Sequence, residues 1–86
     1  MASGKGLFKI QGIAAADFIA TPFGNNEFSR LLVTNQGSEE AEIVINGESD
    51  NLAGNEQVEY IGESTLFVVD SATASADGLL IIRAFA

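Results

Sequence analysis

The sequence predicts one small all-β domain, a sandwich or barrel of about six to eight short antiparallel strands. Three observations lead there. Nine glycines, one proline and many Asn and Ser residues punctuate short apolar runs along 86 residues. In Glu40–Asn46, Ala41, Ile43 and Ile45 share one face opposite Glu40, Glu42 and Val44, the two-residue period of a half-buried strand. The one alanine-rich piece, Ala14-Ala15-Ala16 followed by Asp17-Phe18-Ile19-Ala20, is too short for a helix stable alone, and reads as a helical turn or a second extended segment.

The elements follow in order. A first strand spans Leu7–Ile13, with Phe8 and Ile10 facing one way and Lys9 and Gln11 the other. Thr21-Pro22-Phe23-Gly24-Asn25-Asn26 is a loop, since Pro22 fixes its own φ while Gly24 and the Asn pair tolerate positive φ. Strands follow at Phe28–Thr34 and Glu40–Asn46, joined by the hairpin chemistry of Asn35-Gln36-Gly37-Ser38. Gly47-Glu48-Ser49-Asp50-Asn51 and Gly54-Asn55 read as turns, and Val58–Ile61 as a short strand. Thr65–Asp70 and Leu79–Phe85 are strands on either side of a small-residue loop, Ser71–Gly78. Residues 1–6 form a flexible N-terminal segment, with two glycines and little to anchor them, and 7–86 the single β domain.

A domain of this size buries little more than about 60% of its unfolded surface, so a staple or a partner is expected. Cys 0 and His 0 remove disulfides and the usual transition-metal ligands, which leaves self-association. Lys+Arg 4 against Asp+Glu 12 gives a net charge of −8, which argues against nucleic-acid and membrane partners. With no apolar stretch long enough for a signal peptide or a membrane span, the expected site of synthesis is the cytoplasm.

No catalytic centre is expected. Nucleophilic catalysis of the familiar kinds needs a Ser or Cys beside a His, and the remaining Ser–Lys option rests on Lys5 or Lys9 near a mobile start. Carboxylates are plentiful, but the chain is short for a sugar cleft and has no Trp. No cofactor is implied, because Gly4-Lys5-Gly6 fits neither a dinucleotide nor a Walker loop. Glu48-Ser49-Asp50-Asn51 offers oxygens to a calcium ion without EF-hand spacing, and reads first as a solvated turn, as do Asp70 and Asp77.

The last two strands are apolar on both faces, which a sandwich covers only on the inside. One face of Leu79–Phe85 carries Leu79, Ile81, Arg83 and Phe85, and the other Leu80, Ile82 and Ala84. One of these faces, joined by Phe67, is expected at a subunit interface, where Arg83 would pair with Glu59 or Glu63 of a neighbour. Arg30 has a weaker claim to such a pair. Lys5 and Lys9 are candidates for attachment to an acidic partner surface.

From Thr21-Pro22 to the C-terminus the chain resembles small β-sandwich proteins of tailed-phage particles, such as head decoration and tail or spike-base components. The resemblance runs through Arg30–Gly37, Glu56–Ile61 and Ala72–Ile82, and has no counterpart over Met1–Ala20. It implies a non-enzymatic virion protein acting as a homo-oligomer, with a trimer the first expectation and another virion protein as partner. The alternatives are a module that binds carbohydrate or calcium through acidic loops, and an acidic inhibitor of a host protein.

Overall fold

The computed structural model describes residues 7–14, 18–20, 23–62 and 65–86. All of their regular structure is strand: β1 (Leu7–Ala14), β2 (Phe18–Ala20), β3 (Arg30–Asn35), β4 (Ala41–Ile45), β5 (Glu48–Leu52), β6 (Gln57–Ile61), β7 (Val69–Thr73) and β8 (Leu79–Phe85). The expectations for the flexible 1–6 segment with Lys5, for Ala15–Asp17, for Thr21-Pro22 and for Glu63 lie outside the described residues.

The path of the chain starts from one turn. Asn46 and Gly47 have φ of 52° and 79°, the positive pair that a two-residue hairpin turn requires. The ladders β4·β5, β3·β6, β2·β7 and β1·β8 mirror one another about that turn. Ala41 lies opposite Leu52, Leu31 opposite Tyr60, Phe18 opposite Thr73 and Leu7 opposite Phe85. The chain is thus one long hairpin folded across itself, and ladders β3·β8 and β4·β7 close two four-stranded antiparallel sheets. Their orders are β1-β8-β3-β6 and β2-β7-β4-β5. Two facing sheets with this connectivity make a jelly roll, a form of the predicted small sandwich.

This turn corrects the sequence reading. Glu48–Asn51 is strand rather than turn, because Asn46-Gly47 reverses the chain in two residues and leaves β5 free to pair from Glu48 onward. The small-residue loop is also shorter than expected, since β7 runs from Val69 to Thr73 through Ser71 and Ala72. Phe67 lies outside the strands, in a single bridge to Phe28.

The core lies between the sheets. Leu31, Val33, Leu80, Ile82 and Ala84 from one sheet meet Ala41, Ile43, Leu52, Val69 and Ala72 from the other, all buried. Phe23 and Phe28 fill the space beside them edge to face, with ring centroids 5.3 Å apart. Strand β1 keeps the expected alternation at Lys9, Ile10 and Gln11, after a register shift between Leu7 and Lys9. Lys9, Gln11 and Ile13 pair with the inward residues Ala84, Ile82 and Leu80, while Ile10 faces out beside Arg83.

The end of the sandwich opposite the Asn46-Gly47 turn is closed by Asn35, 1% exposed. Its Nδ2 donates to the carbonyls of Glu39 (2.8 Å), Ala53 (3.0 Å) and Leu52 (3.3 Å), and its Oδ1 accepts from the Gly37 N–H (2.9 Å). One side chain of β3 therefore ties together the β3–β4 connection and the end of β5. Backbones pack so closely around it that a Cβ on Gly54 would sit 2.2 Å from the Ser38 carbonyl oxygen, and one on Gly78 2.3 Å from the Gly37 Cα. Asp77 completes this end by accepting from the Ser38 hydroxyl, from the Ser38 N–H at 3.0 Å and from the Ser75 hydroxyl at 3.1 Å.

Asn35→Ala removes the amide shared by the Glu39, Leu52 and Ala53 carbonyls and the acceptor of the Gly37 N–H, and should cost about 2–4 kcal/mol in urea unfolding with an unchanged slope. Asn35→Asp should cost more, because it sets carboxylate oxygens against three carbonyls. A loss below about 0.5 kcal/mol for Asn35→Ala would mean that other contacts hold this end closed.

Candidate functional site

The two outer faces of the sandwich differ in chemistry. On the β2-β7-β4-β5 sheet, the outward positions of the paired strands are Glu42 and Val44 opposite Asn51 and Ser49, and Thr73 and Ser71 beyond them. Ser49 donates its hydroxyl to Glu42. Apart from Val44, these described positions are polar and suit water.

The β1-β8-β3-β6 sheet has an apolar outer face. Leu79, Ile81, Arg83 and Phe85 of β8 all point outward and are half-buried, while Leu80, Ile82 and Ala84 are fully buried in the core. Beside them Leu7, Ile10 and Ile61 are 52%, 57% and 64% exposed. Leu32 lies in the middle of the face, between Arg83 and Glu59. The interface expected on Leu79–Phe85 thus separates into two sets. Leu79, Ile81, Arg83 and Phe85 are available to a partner, and Leu80 and Ile82 are not.

Phe67 does not join this outer face. It packs against the core side of β6, edge to face with Tyr60 at 6.2 Å between centroids. Both arginines do stand on the outer face. Arg30 pairs with Glu59 within the chain and lies 4.6 Å over the Phe85 ring. Glu59, expected as a neighbour's partner for Arg83, is thereby engaged at home. Among the described residues no acid pairs with Arg83. Lys9 belongs to strand β1 and reaches toward the ring of buried Phe23, 5.9 Å from its centroid.

A second feature lies at the open margin between β5 and β6, where a cleft of about 400 Å³ is lined by Ile45, Asn46, Glu48, Ser49, Asp50, Tyr60 and Phe67. Glu48 and Asp50 sit opposite Ile45 and Ile43 in the ladder, so these acids occupy positions on the inner side of the sheet. Tyr60 donates its hydroxyl to Asp50 at 2.5 Å. Asn46 fixes the rim: its Nδ2 donates to the Leu66 carbonyl (3.1 Å), and its Oδ1 accepts from the Val68 N–H (2.8 Å).

The acidic stretch does not gather ligands for calcium. Successive side chains of β5 point to opposite faces, which parts Glu48 and Asp50 from Ser49 and Asn51. Among the described residues no group of three or more acids converges on a metal position. Asp70 accepts the Gly47 N–H at 2.6 Å, and Asp77 caps the opposite end, so both serve the backbone. Comparison of the chain with protein-family models, curated proteins and solved structures gives no match.

Tyr60 is held neutral. Burial, then the hydrogen bond donated to Asp50, then the negative charges of Asp50 and Glu56 push its phenol well above the ordinary 10.0. Folding therefore gains from Tyr60 at pH values below the ordinary tyrosine midpoint, and loses that gain as pH rises through the folded value. Because Tyr60 is the one tyrosine, phenolate absorbance reports it alone. At pH about 10.5 the native protein should show little phenolate while the urea-unfolded chain shows most of it. Equal absorbance in both states would contradict the bond from half-buried Tyr60 to Asp50.

Proposed function

We propose that this chain is a non-enzymatic assembly protein that acts as a homo-oligomer, a component of a phage particle such as a capsid decoration or tail-associated protein. The observation that carries the reading is the outer face of the β1-β8-β3-β6 sheet, where Leu7, Ile10, Leu79, Ile81, Phe85, Leu32 and Ile61 form an apolar surface beside Arg30, Arg83, Glu59, Thr34 and Gln57, with nothing among the described residues packed over it. Soluble monomers seldom leave a continuous apolar face larger than a few hundred Å² in water. A second copy covers its apolar residues; Arg30 is already paired with Glu59, and Arg83, without an acid among the described residues, needs one from the neighbour.

Charge favours the same face. Copies carrying −8 each repel one another, and two of the chain's four basic residues stand where the copies would meet. The jelly-roll topology agrees with a particle protein, because viral capsid domains use it, although lectins and cupins do as well. The resemblance of Arg30–Gly37, Glu56–Ile61 and Ala72–Ile82 to tailed-phage β-sandwich proteins points the same way. Attachment of the oligomer to another virion protein, with Lys5 and Lys9 as first contacts, belongs to this reading.

Light scattering after size exclusion tests the assembly step. The wild type should run as a discrete oligomer. Ile81→Asp, on the outer face, should give a folded monomer, whereas Leu80→Asp, in the core, should unfold the chain. A wild type that stays monomeric at its highest soluble concentration would defeat the proposal.

A further inference from the structure

We propose that the cleft between β5 and β6 is a binding site for an organic cation, an ammonium or guanidinium group carried on an alkyl stem. This rests on the opposite side of β6 from the assembly face, and stands or falls separately.

The argument begins with what the strand pattern should have placed there. The inner positions of β5 opposite Ile43 and Ile45 would be apolar in a closed sandwich, yet they hold Asp50 and Glu48. The margin therefore stays open as a cavity of about 400 Å³, and Tyr60 and Phe67 remain half-buried instead of covered. The cleft is lined by the Tyr60 and Phe67 rings, by Glu48, by Asp50, which the Tyr60 hydroxyl meets at 2.5 Å, and by buried Ile45.

That combination selects by chemistry. Ring faces attract cations and accept alkyl stems, and carboxylates give the stronger, charge-assisted hydrogen bonds to N–H donors. An anion is refused by Asp50 and Glu48. A sugar needs donors as well as acceptors, and the Tyr60 hydroxyl is already given to Asp50. A calcium ion needs about six to eight oxygens, more than a wall of rings leaves room for. A ligand that brings its own donors, a positive charge and an apolar stem satisfies all three surfaces. Because Tyr60 stays a neutral phenol, the charge of the site comes from the carboxylates alone.

Amide chemical shifts of the intact, isotope-labelled chain provide the test, with n-butylammonium and agmatine as probes and n-butanol and butyrate as controls. The two cations should shift amides of Ile45–Asp50, Tyr60 and Phe67 saturably, and the controls should not. Asp50→Asn and Glu48→Gln, both at exposed positions, should each weaken binding about fivefold or more, and added salt should weaken it further. Tyr60→Phe keeps the ring and should retain binding, while Tyr60→Leu should lose it; should Tyr60→Leu fail to fold, the two carboxylate variants decide. A short peptide with a central Arg that binds at least about tenfold tighter than agmatine would assign the cation to a partner chain, and equal binding to a free small molecule. Equal shifts with n-butanol, shifts scattered over the acidic surface, or unchanged affinity in the Asp50→Asn, Glu48→Gln double variant would overturn the proposal.

Discussion

Every ladder in this protein depends on the turn at Asn46-Gly47. Because the chain is one hairpin folded over itself, the turn sets the register of β4 with β5 and then, outward along the mirror, of the remaining pairs. A slip of one residue at the tip would carry Ala41, Ile43 and Ile45 from the core to water and bring Glu42 and Val44 inside. Two local shifts, at Leu7/Lys9 and Val44/Ile45, absorb the residual mismatch. Asn35 fixes the far end, where the β3–β4 connection and the end of β5 meet around one amide. A chain with so few local pairings must hold both ends of its sandwich, and it does so with two asparagines rather than with disulfides.

With the register fixed, the two sheets divide the work. Both supply inner faces to one core, but their outer faces follow different rules. Glu42, Ser49, Asn51, Ser71 and Thr73 make one a surface for water. The other spends its outward positions on Ile10, Ile81, Leu32, Phe85 and Ile61, with Arg30 and Arg83 among them. A single-layer difference of this kind is not needed for folding, since the inner faces already bury Leu31, Val33, Leu80 and Ile82. It is the asymmetry on which the proposed assembly rests.

How far the sequence reveals this depends on the kind of signal. The final strand, Leu79–Phe85, and the alternation of Ala41–Ile45 were legible, because β-branched runs and two-residue periods report directly on burial. That one face of β8 would be core and the other uncovered also followed from its apolar residues, but which face was which did not, since Leu79 and Leu80 look alike until β1 and β3 are placed. The composition of Glu48–Asn51 is turn-like, and tertiary pairing with β4 overrides it. The Asn46-Gly47 dipeptide carried the competing signal. The cleft was not legible at all: it needs Tyr60 and Phe67 from two later segments beside Glu48 and Asp50, and only the jelly-roll crossing brings them together. Asn35 looked like a loop residue, and its buried role depends on carbonyls from Leu52 and Ala53, remote in sequence.

The geometry also constrains how copies can meet. A sandwich has four edge strands, here β1, β6, β2 and β5, and each is a potential template for another chain. β5 is exposed and carries Glu48 and Asp50, β6 presents Gln57 and Glu59, β2 is three residues long, and β1 is interrupted by a register shift. Each is a recognised device against strand addition. Association by edges would run into these four obstacles, whereas association by the outer face of β8 and β3 meets Leu79, Ile81, Phe85 and Leu32, the Arg30–Glu59 pair, and Arg83 open to an acid of the neighbour. Face packing also leaves the β5–β6 cleft open, because Tyr60 looks inward while Ile61 and Glu59 look out. The same short strand therefore serves two surfaces: an assembled particle would keep its acidic, aromatic clefts accessible along the margins of its subunits.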